Sequence, residues 1–200
     1  MIKKSYEYND CDFSIENYFK EHHSVLSILD KNSIETAINV IRDAFKRGAK
    51  IVTCGNGGSA STASHYITDW SKFLNLKTGE KFKGFCLVDN AGLLTAYGND
   101  ISYEDVFSGQ CEAVLDEGDL LVAVSGSGNS PNIVKAIKTA NKMGAVTLAI
   151  LGYDGGSAMK ESQYTFHVPS FDMQVCEDIH LMFGHLAMKS LCDMHIRSIK

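Results

Sequence analysis

The sequence predicts an α/β fold, a five-stranded parallel sheet with helices on both faces, preceded by an N-terminal helical arm. The main observation is that short apolar runs bounded by turn residues alternate with stretches of helical periodicity. Such alternation implies crossover helices and a parallel sheet. The second observation is size, since a chain of 200 residues can bury roughly 70% of its unfolded surface without disulfide or metal support. No internal repeat or Ser/Gly-rich linker divides the chain.

The N-terminal part predicts two helices, at about 12–29 and 33–47, because apolar residues recur there at helical spacing. We therefore divide the chain into a helical arm, residues 1–48, and a single α/β domain, residues 49–200. The arm suits a role in oligomerisation.

Within the domain, each predicted strand is short, apolar and bounded by turn residues. The predicted elements, in order, are strand 50–54, helix 59–74, strand 84–88, helix 103–115, strand 120–124, helix 131–143, strand 146–151, strand 164–168 and helix 173–196.

Composition excludes several classes of protein. The 19 basic and 24 acidic residues give a net charge of −5, so nucleic acid is not the expected partner. No apolar run reaches the roughly 18 residues of a membrane span, and no signal-peptide pattern is present, so we expect a cytoplasmic protein without membrane contact. The six cysteines form no CxxC pair and are expected to be free thiols in a reducing compartment.

The first loop that can carry chemistry is CGNGGSAS, directly after the first predicted strand of the domain. Its glycines allow a ligand to approach the backbone, and the start of the next helix offers unpaired N–H groups to an anion. The spacing of Gly55, Gly57 and Gly58 does not match GxGxxG, and no Walker lysine follows, which disfavours a dinucleotide or a nucleoside triphosphate. A tight turn with a serine cap is the alternative.

The second loop is SGSGNSPN, after the most apolar strand. Ser125, Ser127 and Ser130 can point at one phosphate around a helix N-terminus, where the helix dipole adds attraction. Ser130 precedes Pro131, so helix capping by Ser130 is the alternative.

Titratable residues lie on two predicted helices. His65 and Asp69 are four residues apart and share a helix face, and His185 lies on the last helix. On that helix Asp178 is about 20° from His185 in projection and Glu177 about 80°, so helical geometry leaves both carboxylates as candidates.

Together, S-x-S-x-x-S and G-N-G-G-S after two strands resemble the sugar isomerase (SIS) domain family, and within it the bacterial phosphoheptose, or sedoheptulose 7-phosphate, isomerases. The resemblance covers nearly the whole chain, including YGND at 97–100, DGG at 154–156 and the two histidines of the last helix, His180 and His185. It implies the flavodoxin-like, Rossmann-like SIS fold and an aldose–ketose isomerase. Such an enzyme converts D-sedoheptulose 7-phosphate to D-glycero-D-manno-heptose 7-phosphate through an enediol, the first step of heptose biosynthesis for lipopolysaccharide or capsule. It also implies a homotetramer with active sites between subunits.

The resemblance further implies a set of site residues. The substrate-binding residues would be Asn56, Gly57, Gly58, Ser59, Asp100, Ser125, Gly126, Ser127, Ser130 and Glu177. One Zn²⁺ per subunit would be held by His65, Asp69, Glu177 and His185. Asp69 stands where the family has Glu and Glu177 where it has Gln, yet two histidines and two carboxylates still suit zinc.

Within that set we expect Asp69 to act as the base and His185 as the acid, with Glu177 as the alternative base. Two other functions compete with this one: an isomerase of another phosphosugar, and a non-catalytic SIS regulator, such as the relative that binds a replication initiator. Retention of all four titratable groups favours an enzyme. His180 is expected to be packed in the protein, Trp70 in the core or at a subunit interface, and His22 is assigned no role.

Overall fold

The computed structural model describes residues 14–198, with side chains described through residue 193. Within that range, five parallel strands form one sheet in the order β2-β1-β3-β4-β5. The strands are β1 Ile51–Gly55, β2 Gly84–Cys86, β3 Leu120–Ser125, β4 Val146–Leu151 and β5 Tyr164–His167. The predicted fold class is confirmed.

Helices cover both faces of this sheet. They are α1 Ile15–Ile28, α2 Lys31–Lys46, α3 Gly58–Thr78, α4 Ala91–Asp100, a 3₁₀ turn Tyr103–Asp105, α5 Ser108–Val114, α6 Pro131–Lys142, α7 Gly156–Glu161 and α8 Met173–Ser198. Side-chain caps fix several starts, because a capping oxygen satisfies an N–H group that the helix leaves unpaired. Ser14 Oγ accepts from Asn17 N–H at 3.0 Å, and Asp30 Oδ1 accepts from Asn32 N–H at 2.9 Å.

The sequence prediction was wrong for three helical segments. α4 and α7 were missed: α4 has no buried residue and α7 is only six residues long, so neither gives a clear apolar period. The helix expected at 103–115 is broken between the 3₁₀ turn and α5. Ser102 Oγ accepts from Glu104 N–H and donates to Asp105 Oδ2, a local bonding pattern that competes with a continuous helix.

Two apolar clusters fill the space on either side of the sheet. One lies under α2, α3 and α8, and the other under α5 and α6. The central strands β3 and β4 are buried along almost their whole length, as a parallel sheet covered on both faces requires.

Close packing of α3 on α8 sets the geometry of the site. Trp70 is fully buried and donates through Nε1 to the Gly184 carbonyl at 2.9 Å, and the Tyr66 hydroxyl donates to the His180 carbonyl. A Cβ on Gly184 would lie 2.2 Å from the Tyr66 ring, so only glycine permits this approach. The expectations that Trp70 and His180 are packed inside the protein are confirmed.

The N-terminal helices share the core of the sheet. Ile41 of α2 is fully buried, and Ser33 Oγ donates to the Thr165 carbonyl of β5 at 2.8 Å. Residues 1–13, which include the start of the first predicted helix and Cys11, lie outside the described residues. Among residues 14–198, no helix combines the length and hydropathy that crossing a membrane requires.

Candidate active site

The two predicted ligand loops meet at the carboxyl ends of β1 and β3. The sheet order places β1 beside β3, with β2 outside β1, so the strand order reverses between them. In open parallel sheets, ligands bind in the crevice at this switch point. The loops that sequence analysis singled out therefore occupy the expected binding position of the fold.

The glycine loop after β1 begins α3 through an unusual backbone conformation. Gly57 occupies the N-cap position with φ 55° and ψ −124°, which disfavours side chains. The alternative of a serine-capped turn is wrong, because Gly57 is the cap and Ser59 lies buried in the first helical turn. The unpaired N–H groups of that turn are the anion-binding feature of the loop.

The serine loop after β3 keeps its hydroxyl protons available. Ser125 Oγ accepts from Gly128 N–H at 3.1 Å, and Ser127 Oγ accepts from Asn129 N–H at 3.3 Å, so each hydroxyl can still donate to a ligand oxygen. Ser130 is the N-cap residue of α6 but makes no side-chain capping hydrogen bond. Capping therefore does not account for this serine.

An amide pair that the sequence did not reveal joins the two loops. Asn56, from the glycine loop, and Asn132, in the first turn of α6, each donate to the other's Oδ1 at 2.9 Å. Asn132 is almost completely buried, and the Tyr103 hydroxyl also donates to Asn56 Oδ1 at 3.0 Å. Nothing in the residue pattern around Asn132 or Tyr103 distinguishes them, since their partners are remote in sequence.

His65, Asp69 and His185 come together where α3 crosses α8. Asp69 Oδ2 lies 3.3 Å from His65 Nε2 and 3.5 Å from His185 Nε2, and the two Nε2 atoms are 3.4 Å apart. Donor atoms bound tetrahedrally at about 2.0–2.1 Å from one zinc ion would be about 3.3–3.4 Å apart. The three donor atoms thus fit a single small cation, and the structure brings together three of the four predicted ligands.

Glu177, the fourth predicted ligand, lies elsewhere. Its two carboxylate oxygens are each 2.5 Å from the position that a Cβ on Gly58 would take, so it faces the first turn of α3. Within the described side chains, the group of donors that could share one ion contains only His65, Asp69 and His185. Burial, followed by the charge of Asp178, raises the pKa of the Glu177 carboxyl above its ordinary value.

The geometry also decides between Glu177 and Asp178. Asp178 Oδ2 accepts from the Tyr18 hydroxyl at 2.6 Å and lies 2.9 Å from His22 Nε2, both on α1. Asp178 is therefore turned toward α1 and away from the cation-binding group, although in helical projection it is closer to His185 than Glu177 is. His22, to which the sequence assigned no role, is part of this contact between α1 and α8.

Asp100 is not joined to these groups. It ends α4, and its Oδ1 accepts from Asn99 Nδ2 at 2.8 Å. Among the contacts of the described residues, none connects Asp100 with the serine loop or with the histidine pair.

A cavity of about 650 Å³ opens between the glycine loop and the end of β2. Its lining includes Asn56, Ser61, Ser64, His65, Asp89 and Tyr103. His65 thus belongs both to the cavity wall and to the cation-binding group. Hydroxyl, amide and carboxylate groups of this kind suit a polyhydroxylated ligand.

The chain is similar in sequence and in structure to known sugar isomerases. Residues 17–152 match the SIS domain family. The chain is 38% identical over 163 residues to the phosphoheptose isomerase of Clostridium acetobutylicum, covering 80% of each chain. It is 37% identical over 185 residues to that of Campylobacter concisus, covering 92% of each. The solved phosphoheptose isomerase of Neisseria gonorrhoeae superposes with a TM-score of 0.80 at 28% identity, over 88% of this chain and 96% of the other.

Proposed function

Because the chain belongs to the SIS domain family and, within it, to the phosphoheptose isomerases, we propose that it converts D-sedoheptulose 7-phosphate to D-glycero-D-manno-heptose 7-phosphate through an enediol. The observation that carries this proposal is the site itself. The glycine loop and His65 line one cavity, and His65 Nε2 lies 3.3 Å from Asp69 Oδ2 and 3.4 Å from His185 Nε2. That combination can hold a phosphate and move protons on the attached sugar.

The phosphate is held by the two loops. Ser59, Ser125, Ser127 and Ser130 supply hydroxyl donors, and the starts of α3 and α6 supply unpaired N–H groups and the positive ends of two helix dipoles. Since the chain has a net charge of −5, this attraction must be local rather than a property of the whole surface.

The separation of Ser59 and His65 along α3 matches the length of an extended seven-carbon sugar phosphate. His65 follows Ser59 by six residues on the same helix, which places the two about 9 Å apart along the axis at 1.5 Å per residue. Six carbon–carbon bonds of about 1.5 Å span about 7–8 Å when extended. A seven-carbon chain anchored by its phosphate can therefore bring its C1–C2 end to the histidine pair.

We assign His65, Asp69 and His185 as the ligands of one Zn²⁺ per subunit. Their donor distances fit, and three protein ligands leave one position open, as catalytic zinc sites do. When bound, the ion would supply a Lewis acid for the sugar's carbonyl and hydroxyl oxygens. Glu177 is retained as a substrate contact, because its carboxylate lies at the start of α3.

Proton transfer is assigned to the atoms of Asp69 and His185 that the ion would not use, Asp69 Oδ1 and His185 Nδ1, because a ring nitrogen bound to zinc has no proton to give. Asp69 takes a proton from C1 of the ketose while His185 gives a proton to the C2 oxygen, which yields the enediol. Asp69 then returns a proton to C2 and His185 removes the proton from the C1 hydroxyl, leaving the aldehyde. Glu177 is the second candidate for the base, because its raised pKa brings it closer to neutral pH.

We further propose a cytoplasmic homotetramer that supplies heptose for lipopolysaccharide or capsule. The outer face of α1 supports an assembly, since Ile15 and Phe19 are 67% and 66% exposed and large apolar side chains on one helix face suit a contact between subunits.

Substrate choice tests the proposal. Purified protein with zinc is incubated separately with sedoheptulose 7-phosphate, fructose 6-phosphate and ribulose 5-phosphate, and products are identified by NMR. We expect an aldoheptose 7-phosphate from the first and little conversion of the others. Preferential conversion of a shorter sugar phosphate would contradict the proposed substrate, and no conversion of any would contradict the enzyme.

A further inference from the structure

Asn132 lies at the contact between the two ligand loops and is only 1% exposed. Its amide and that of Asn56 form two hydrogen bonds with each other, Nδ2 to Oδ1 in both directions at 2.9 Å. Because Asn56 belongs to the loop that starts α3 and Asn132 to the first turn of α6, this pair ties together the two helix N-termini that face the ligand.

A backbone group fixes which way both amides point. The Ile133 N–H is shared between Asn132 Oδ1 and the Ser130 carbonyl, at 3.0 Å from each oxygen, and a backbone N–H can only donate. The oxygen of Asn132 must therefore face Ile133 and Asn56 Nδ2, and its nitrogen must face Asn56 Oδ1. The orientation of the Asn56 amide follows from α6 rather than from its own loop.

The remaining hydrogen-bonding capacity of Asn56 can now be counted. Its Oδ1 accepts from Asn132 Nδ2 and from the Tyr103 hydroxyl, which uses the two acceptor sites of an amide oxygen. Its Nδ2 gives one of two N–H groups to Asn132. One N–H is left, so Asn56 can offer a ligand only a donor.

We propose that Asn132 is a positioning residue, assisted by Tyr103, that orients Asn56 so that its remaining N–H donates to an oxygen of the sugar phosphate. The identity of the ligand rests on the proposed function. Neither Asn132 nor Tyr103 need touch the ligand for this role, because both act through Asn56.

A double-mutant cycle separates this role from a structural one. Asn132→Asp keeps the size and the acceptor but places a carboxylate oxygen against Asn56 Oδ1. We expect kcat/KM for sedoheptulose 7-phosphate to fall about 10- to 100-fold, as a displaced site group does. Asn56→Ala should fall at least as far. The double variant should be no worse than Asn56→Ala within about twofold, since residues acting through one contact are not additive.

Tyr103→Phe provides a second variant with little risk to folding, because Tyr103 is 65% exposed. Loss of its hydroxyl should lower kcat/KM about three- to tenfold, and again the loss should vanish in the Asn56→Ala background. The matched control is Asn141→Asp in the same helix, whose amide donates to the Glu161 carbonyl at 2.7 Å, on the far side of α6 from the loops. It should lower the melting temperature and leave kcat/KM unchanged.

The positioning role would be overturned if the fold-losses of kcat/KM in Asn132→Asp and Tyr103→Phe multiplied with the loss in Asn56→Ala. It would also be overturned if kcat/KM were unchanged in both Asn132→Asp and Tyr103→Phe. A wild-type protein that lacks turnover would contradict the proposed function alone. In that case the Kd of sedoheptulose 7-phosphate, measured by titration calorimetry, replaces kcat/KM in the same double-mutant cycle. Additive losses of binding free energy would again overturn the positioning role. A wild-type protein that does not bind this sugar phosphate would contradict both.

Discussion

Asp69 Oδ2 and His185 Nε2 lie 3.5 Å apart, on α3 and α8. We assign Asp69 as the base and His185 as the acid. Asp69→Asn and His185→Ala should each lower kcat about 10²- to 10⁴-fold, the usual contribution of general acid–base catalysis. The Kd for sugar phosphate should change little, because the phosphate contacts lie in the loops. Asp43→Asn, an exposed acid on α2, is the control. Near-normal kcat in both site variants would remove the assignment.

Glu177→Gln distinguishes the two candidate bases. Gln keeps the size of the side chain but cannot take a proton, and Asp69 would still carry the proton, so we expect kcat within about tenfold of wild type. A loss as large as that of Asp69→Asn, with loss of the acidic limb of the kcat/KM pH profile, would transfer the role of base to Glu177.

Replacing Ser130 should weaken substrate binding without lowering the stability of the protein. A serine that caps a helix is worth about 1 kcal/mol, but Ser130 makes no capping hydrogen bond. Ser130→Ala should therefore leave the melting temperature nearly unchanged and raise KM about tenfold or more, as the loss of a hydrogen bond to a charged group does. A lower melting temperature with unchanged KM would restore the capping role.

Residue roles followed from sequence only where the pattern was local. His65 and Asp69 share a helix face at a spacing of four residues, which the sequence shows directly. The choice between Glu177 and Asp178 depended on α1, because Tyr18 and His22 bind Asp178. Asn132 was missed for a similar reason, since its partner Asn56 lies 76 residues away.

Among the elements, α3 and α8 carry the whole cation-binding group, and Gly184 allows them to pack closely. Gly184→Ala would place a Cβ 2.2 Å from the Tyr66 ring, so α8 must shift. We expect the free energy of unfolding to fall by about 1–3 kcal/mol, as for other overpacked cores, and zinc affinity to fall with it. Gly98→Ala is the control, because a Cβ there meets only Val106 at 3.7 Å. Unchanged zinc affinity in a destabilised Gly184→Ala protein would separate the site from this packing.

The elements themselves were predictable where burial gives a regular pattern. All five strands were predicted because each is an apolar run between turns, and β4 was predicted with its observed ends. β2 is shorter than predicted because it is an edge strand with only β1 as a neighbour. α4 and α7 were missed because an exposed or very short helix leaves no apolar period in the sequence.

For the whole molecule, the stability in acid should reflect one buried histidine. His180 is fully buried. Burial lowers its pKa from 6.5 to about 4. Below about pH 6.5 His180 takes up a proton in the unfolded chain, whereas in the folded chain it stays neutral down to about pH 4. The free energy of unfolding therefore falls as the pH is lowered through that window.

Urea denaturation between pH 7 and pH 4 measures this effect. We expect His180 to account for a loss of about 3 kcal/mol over the window, at about 1.4 kcal/mol per pH unit. His180→Met should remove that part of the slope, whereas His23→Gln, at an exposed position on α1, should retain it. An unchanged slope in His180→Met would show that other groups control acid stability.

In the proposed reaction, residues of this chain move a proton between C1 and C2 of sedoheptulose 7-phosphate. The most direct test is proton NMR of the reaction in D₂O, with added zinc and, separately, after chelation. We predict aldoheptose 7-phosphate with deuterium at C2 in the zinc-loaded wild type, no exchange in Asp69→Asn, and loss on chelation that zinc restores. Turnover and deuterium incorporation in Asp69→Asn equal to those of the wild type would contradict the assignment of Asp69 as the base, and a wild type that forms no aldoheptose 7-phosphate would contradict the proposed reaction.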